Sequence, residues 1–279
     1  SYRPPIIHST ALAVRMKKLP IGIQTLSHII EGGYVYVDKT AIALRLIQSG
    51  KYYFLARPRR FGKSLFLDTL KEIFKGNRQL FKGLYIEKKW DFNDQYPVIH
   101  LDFSTGMSKN PDQLERNLLF ALERAGKELD IEFAAGRNSI ERFYDLILAS
   151  KEKTGKNVVI LIDEYDKPIL DNIGDPVAAR EIRDGLKAFY SLIKSNDDHI
   201  QFVMLTGVSK FSKLNLFSGL NNLNDITLHP NFGEICGYTQ DDLTIVFGEF
   251  LAGADMEKIK EWYNGRSEER RVGKECRSR

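Results

Sequence analysis

Arg57-Pro58-Arg59-Arg60-Phe61-Gly62-Lys63-Ser64-Leu65 closes with the Gly-Lys-Ser of a phosphate-binding loop, yet arginine stands where such loops open with glycine. The chemistry asks for less than the full motif: backbone N–H groups around the phosphates, a lysine for the outer phosphates and a hydroxyl for Mg2+. Gly62, Lys63 and Ser64 supply the last part intact. Upstream, Lys51 to Ala56 is an aromatic and apolar run of strand type. Downstream, Leu65, Phe66, Leu67, Leu70, Ile73 and Phe74 recur at mostly helical spacing until Gly76. Strand, loop and helix in that order place the free N–H groups and the positive dipole end of a helix against an anion. Read without that context, the same residues make a basic loop capped by Ser64.

A second motif strengthens the first. Val158 to Ile162 is a short, wholly apolar run that fits the centre of a buried sheet, and it leads into Asp163-Glu164. In ATPases of this broad type the aspartate at a strand's end holds Mg2+ through water, and the following glutamate orients the attacking water. An acidic pair after a buried strand can also be a plain turn or helix start. The strand Val98 to Phe103 falls between the two motifs in sequence, so the Lys63 and Asp163 strands are not expected to be sequence neighbours. Gln201 to Leu205 is a further buried strand ending at Thr206-Gly207-Val208-Ser209-Lys210. A hydroxyl there is placed to meet the attacking water or γ-phosphate, and Lys210 to neutralise developing charge; the alternative is a capped turn with a solvated lysine. Arg59 and Arg60 stay open between phosphate contacts and an exposed basic rim.

The strand candidates are Tyr52 to Ala56, Val98 to Phe103, Val158 to Ile162, Phe202 to Thr206 and Asp225 to Leu228. Helical patterns lie between them, near Lys63 to Lys75, Pro111 to Leu129, Ile140 to Lys153 and Val177 to Lys194. This alternation predicts an α/β fold with a mainly parallel sheet of about five strands covered by helices. Tyr34 to Thr40 reads as an added strand and turn, with Asp38 or Thr40 opening a helix to Gly50. Thr239 to Leu251 and Asp255 to Trp262 read as a small helical lid.

The chain has 279 residues, 43% of them hydrophobic, which is enough for a full core. No apolar run is long enough to span a bilayer. The two cysteines, Cys236 and Cys276, have no metal-ligand spacing and suit a reducing cytoplasm. Of the net charge of +4, three units come from residues 266–279, where six Lys/Arg meet three Glu. That tail resembles a translated sequencing adapter and is set aside as non-native, residues 1–15 as an upstream extension before Met16. Residues 16–230 are then read as the core and 231–265 as a partial lid. The near-neutral remainder argues against a nucleic-acid binder, though a local basic patch escapes a net count.

Five segments together resemble one family: Met16 to Gly22, Tyr36-Val37-Asp38-Lys39-Thr40, Arg57 to Leu65, Ile162-Asp163-Glu164-Tyr165-Asp166-Lys167-Pro168 and Thr206-Gly207-Val208. In their order they are similar to the AAA-ATPase-like family of bacterial and archaeal P-loop proteins. The resemblance implies a three-layer P-loop NTPase sandwich and Mg2+-dependent ATP hydrolysis. Family loops read Arg/Gly-Pro-Arg-Arg-x-Gly-Lys-Ser/Thr, so it also implies that Arg57 is a tolerated variant; Pro58 restricts the turn and Gly62 keeps room for close backbone approach. By the same resemblance, Arg59, Arg60, Phe61, Gly62, Lys63, Ser64 and Leu65 line the nucleotide, and Ser64 with Asp163 holds the metal. Glu164 activates water and Thr206 senses the γ-phosphate. Similar members often carry a C-terminal PD-(D/E)XK nuclease-like domain. Here the only Pro-Asp, Pro111-Asp112, has no Asp/Glu-x-Lys after it, so that site is absent from this chain. The missing domain or another protein is the expected partner. A nucleotide-operated switch with slow hydrolysis, or a DNA-associated regulator, is the alternative function.

Overall fold

Tyr52, Phe54 and Ala56 enter one hydrophobic core and Tyr53 and Leu55 the other, the two-residue alternation of a strand buried on both faces. They form β1 (Tyr52–Ala56), a central strand of a five-stranded sheet in the computed structural model, which describes residues 17–209, 223–255 and 258. The others are β2 (Val98–Asp102), β3 (Val158–Asp163), β4 (Ile200–Gly207) and β5 (Asn224–Asp225). Their order is β2-β3-β4-β1-β5 and every pairing is parallel. β4 therefore lies between β1 and β3. The strand that separates the two motifs in sequence, β2, sits at the far edge instead.

Helices cover both faces. α1 (Leu26–Glu31), α2 (Thr40–Ser49) and α3 (Lys63–Phe74) belong to one layer; α4 (Pro111–Leu129), α5 (Ser139–Thr154) and α7 (Pro176–Ser195) pack on the other. The short α6 (Lys167–Leu170) follows β3. Local chemistry sets the boundaries. Asn110 accepts from Gln113 N ahead of Pro111, Asn138 and Glu141 form a reciprocal capping box, and Asp175 accepts from Val177 N and Ala178 N ahead of Pro176. Gly155, at φ 67°, ends α5 in the left-handed conformation that glycine adopts without strain.

Three expectations change. Tyr34 to Thr40 forms no strand; a single bridge joins Lys18 and Tyr34. Val35 and Val37 alternate inward as a strand would, but among the described residues no second strand lies alongside to build a ladder. The fifth strand is two residues long and stops before Leu228, because after Ile226 side chains take the place of backbone groups in its ladder. The predicted Thr239 to Leu251 helix is α8 (Gln240–Ile245) followed by turns. Apart from Asp255 and Lys258, the Asp255 to Trp262 element lies outside the described residues. No described helix is long and apolar enough to cross a membrane.

Candidate nucleotide site

In a parallel sheet all strands end on the same side, and β1, β3 and β4 bring their following turns together there. The β1 turn enters α3 through Gly62 at φ 92°, and no side chain caps the helix, so its first N–H groups are left for an anion. Lys63 is buried, and its Nζ lies 3.1 Å from the Arg57 carbonyl oxygen and 3.2 Å from that of Pro58. The same ammonium is 3.3 Å from Glu164 Oε1, in the turn after β3. Two residues predicted from separate motifs thus meet as an ion pair.

Glu164 sits at φ 54°, a left-handed conformation that costs a glutamate about 1 kcal/mol or more. Its neighbours enforce it. Its own N–H donates to Asp163 Oδ1 at 3.1 Å, Tyr165 N donates to the Thr206 carbonyl at 3.0 Å, and Lys167 N donates to the Glu164 carbonyl at 3.0 Å. Asp163 is buried and also accepts a hydrogen bond from the Thr206 hydroxyl. That hydroxyl, fully buried, is thereby committed to holding the aspartate. Ser64 is half-buried at the first turn of α3; Phe61 and Leu65 are half-buried, and Arg59 and Arg60 are exposed, Arg60 at φ 66°. Lys210 lies outside the described residues.

Sequence reasoning gave no role to the Tyr165-Asp166 pair, which the fold places beside the site. Asp166 is fully buried and accepts from Ser209 N at 2.7 Å and Val208 N at 3.2 Å. Burial pushes its carboxyl above the ordinary aspartate range against those amide bonds. Tyr165 donates its hydroxyl to the Ser209 carbonyl at 2.7 Å, and Tyr190 donates to the Tyr165 carbonyl at 3.2 Å. The turn after β3 and the exit from β4 are consequently one hydrogen-bonded unit. A third carboxylate within four residues of Asp163 was the signal in the sequence.

A cleft of about 270 Å3 lies elsewhere, between β2 and α4, lined by His100, Asp102, Asn117 and Arg124. It contains neither Lys63 nor Glu164, so the convergence of loops, and not the cavity, defines the site.

Residues 20–217 match the family described as predicted AAA-ATPase. The chain belongs to that family. As a predicted AAA-ATPase it carries the nucleotide-binding character of the group in coarse terms, and the loop, the acidic pair and the β4 exit all fall inside the matched span. A relative described as an uncharacterized protein in the vnfD 5′ region of Azotobacter chroococcum mcd 1 is 51% identical over 250 residues. The alignment covers 89% of this predicted AAA-ATPase and 48% of that protein, so the chain spans about half its length.

Proposed function

We propose that this chain binds ATP with Mg2+ and hydrolyses it at the turns after β1, β3 and β4. The observation that carries the reading is the meeting of Lys63 with Glu164 at 3.3 Å, beside an Asp163 carboxylate oriented by Thr206. Lys63 takes the β- and γ-phosphates, exchanging the Arg57 and Pro58 carbonyls and the Glu164 carboxylate for phosphate oxygens. Glu164, released from the lysine, accepts a proton from the attacking water. The N–H groups of Gly62 to Leu65 cradle phosphate, with Arg59, Arg60 and Phe61 at the rim. Ser64 and Asp163 would hold Mg2+ with a hydroxyl and a carboxylate, hard oxygens that fit that ion. When bound, the metal neutralises charge on the transferring phosphoryl group. Thr206 acts through Asp163, and its γ-phosphate role requires the hydroxyl to turn from that carboxylate.

The test is ATP binding and steady-state turnover in the wild-type chain, Lys63→Ala and Glu164→Gln. Glu164→Gln is expected to bind ATP and to lose turnover by roughly 100-fold or more, the range of a general base. Lys63→Ala is expected to lose binding. Unchanged turnover in Glu164→Gln would remove the glutamate from the mechanism. Slow turnover in the wild type that rises when a partner protein is added would favour the nucleotide-operated switch, with the same residues binding ATP.

A further inference from the structure

Arg57, where a phosphate-binding loop usually has glycine, is buried at 3% exposure rather than facing solvent with Arg59 and Arg60. Three groups of this one residue reach three parts of the site. Its N–H donates to the Gly207 carbonyl at the end of β4 at 3.0 Å, and its carbonyl receives the Lys63 ammonium at 3.1 Å. Its guanidinium Nη1 donates to the Thr227 carbonyl and lies 3.4 Å from the Ala56 carbonyl oxygen.

Thr227 completes the connection. The β1–β5 ladder runs from Tyr53 and Phe54 against Asn224 and Asp225, and Ile226 N then donates to the Phe54 carbonyl at 3.0 Å. One step further along, Ala56 N donates to the Thr227 side-chain oxygen at 3.0 Å, and the Thr227 carbonyl takes the Arg57 guanidinium. A threonine hydroxyl stands in for a strand carbonyl and an arginine N–H for a strand amide. Side chains continue the ladder where the backbones diverge, one opening into the phosphate loop and the other into the α8 segment. Downstream the two remain tied, since Gly237 N donates to the Phe61 carbonyl at 3.0 Å.

We infer that Arg57 is a positioning residue that clamps the root of the phosphate loop to the segment after β5, and thereby holds in place the loop backbone that leads to Gly62 and Lys63. Glycine at this position removes the clamp and adds backbone freedom at the same point. Restoring the regular motif therefore impairs the loop. The effect on nucleotide rests on the ATP reading above; the clamp itself does not.

The experiment compares wild type, Arg57→Gly and Arg57→Gln by amide hydrogen exchange without nucleotide, and by ATP titration with Mg2+. Glutamine keeps a side chain and its backbone restriction but is too short for the bond, so it separates the clamp from glycine's flexibility and serves if Arg57→Gly fails to fold. Faster exchange is expected in both variants at the bonded amides of the two segments together, Ala56 and Phe66 on one side and Ile226, Thr227 and Gly237 on the other. ATP affinity should fall roughly tenfold or more, the loss typical of a buried charged hydrogen bond. Millimolar guanidinium ion should restore protection and affinity in Arg57→Gly, and ammonium ion should not. A purely structural role in global stability would raise exchange throughout the sheet and show no such selective rescue, and that result overturns the proposal. So does wild-type exchange at both segments in the variants. If the wild type fails to bind ATP while the paired exchange response holds, the ATP reading falls and the clamp stands.

Discussion

Gly207 shows how closely the site is built at the level of single atoms. A Cβ there would stand 2.6 Å from Asp166 Oδ1 and against the Tyr165 ring, with no flexible side-chain end to yield. Gly207→Ala is therefore expected to destabilise the fold by about 1–3 kcal/mol, as overpacking does, and to lower turnover in parallel because the Thr206 to Ser209 exit moves. Urea unfolding with an unchanged denaturant slope checks the first part, and a stability equal to wild type would show that the turn after β3 is slack. The residues that sequence motifs reveal are chain neighbours, such as Gly62-Lys63-Ser64 and Asp163-Glu164, because their chemistry depends on one local turn. Asp166 and Arg57 acquire roles from partners 43 and 170 residues away, Ser209 and Thr227. No local spacing encodes those meetings. Arg57 reads as a departure from a motif because the partner that compensates for the missing first glycine, Thr227, is far away in sequence.

At the level of elements, β1, β3 and α3 were legible in outline because apolar runs and the glycines that bound them agree along each segment. Tyr34 to Thr40 misled because alternation reports burial of one face and says nothing of a ladder partner. That segment instead supports the α8 region: Lys39 Nζ lies 2.8 Å from Asp242 Oδ2, and Thr239 N donates to the same oxygen at 2.8 Å. Burial pushes the Asp242 carboxyl up, but the Lys39 ammonium and the Thr239 bonds together hold it below the ordinary aspartate value. A depressed folded-state pKa gives a contribution that is complete above the unfolded value and fades as pH falls through the folded one. Asp242→Asn should cost about 1 kcal/mol or less near neutrality, and its deficit against wild type should shrink on titrating below about pH 4. Paired unfolding curves at several pH values measure this; a deficit independent of pH would show that the ionised pair contributes nothing. Removing the cap of α5 by Asn138→Ala should cost about 1 kcal/mol, read as a lowered denaturation midpoint, with ATP turnover unaffected since α5 is in the layer behind the sheet.

For the whole molecule, a sheet covered on both faces gives the three turns a rigid common base, and ligand binding should report on the fold as one unit. Mg2+ and ATP at about 100 times the dissociation constant are expected to raise stability by about 2.7 kcal/mol in wild type and not in Lys63→Ala. Thermal unfolding with and without nucleotide checks this, and equal shifts in both proteins would place binding away from the loop. The strand order has a further consequence for how the molecule comes into being. β4 is the last of the four long strands in the chain but occupies a central place between β1 and β3, whose pairing partners it supplies. Until residues 200–207 insert, β1 and the β2–β3 pair have no bond to each other, and each presents an open, apolar edge. Parallel pairing at such sequence separations is slow and exposes aggregation-prone surface. A nascent chain that has made Lys63 and Glu164 but not yet β4 lacks Thr206 and the strand that joins β1 to β3, so on the ATP reading the acquisition of nucleotide binding during synthesis or refolding is expected as a single late event, the closing of the sheet.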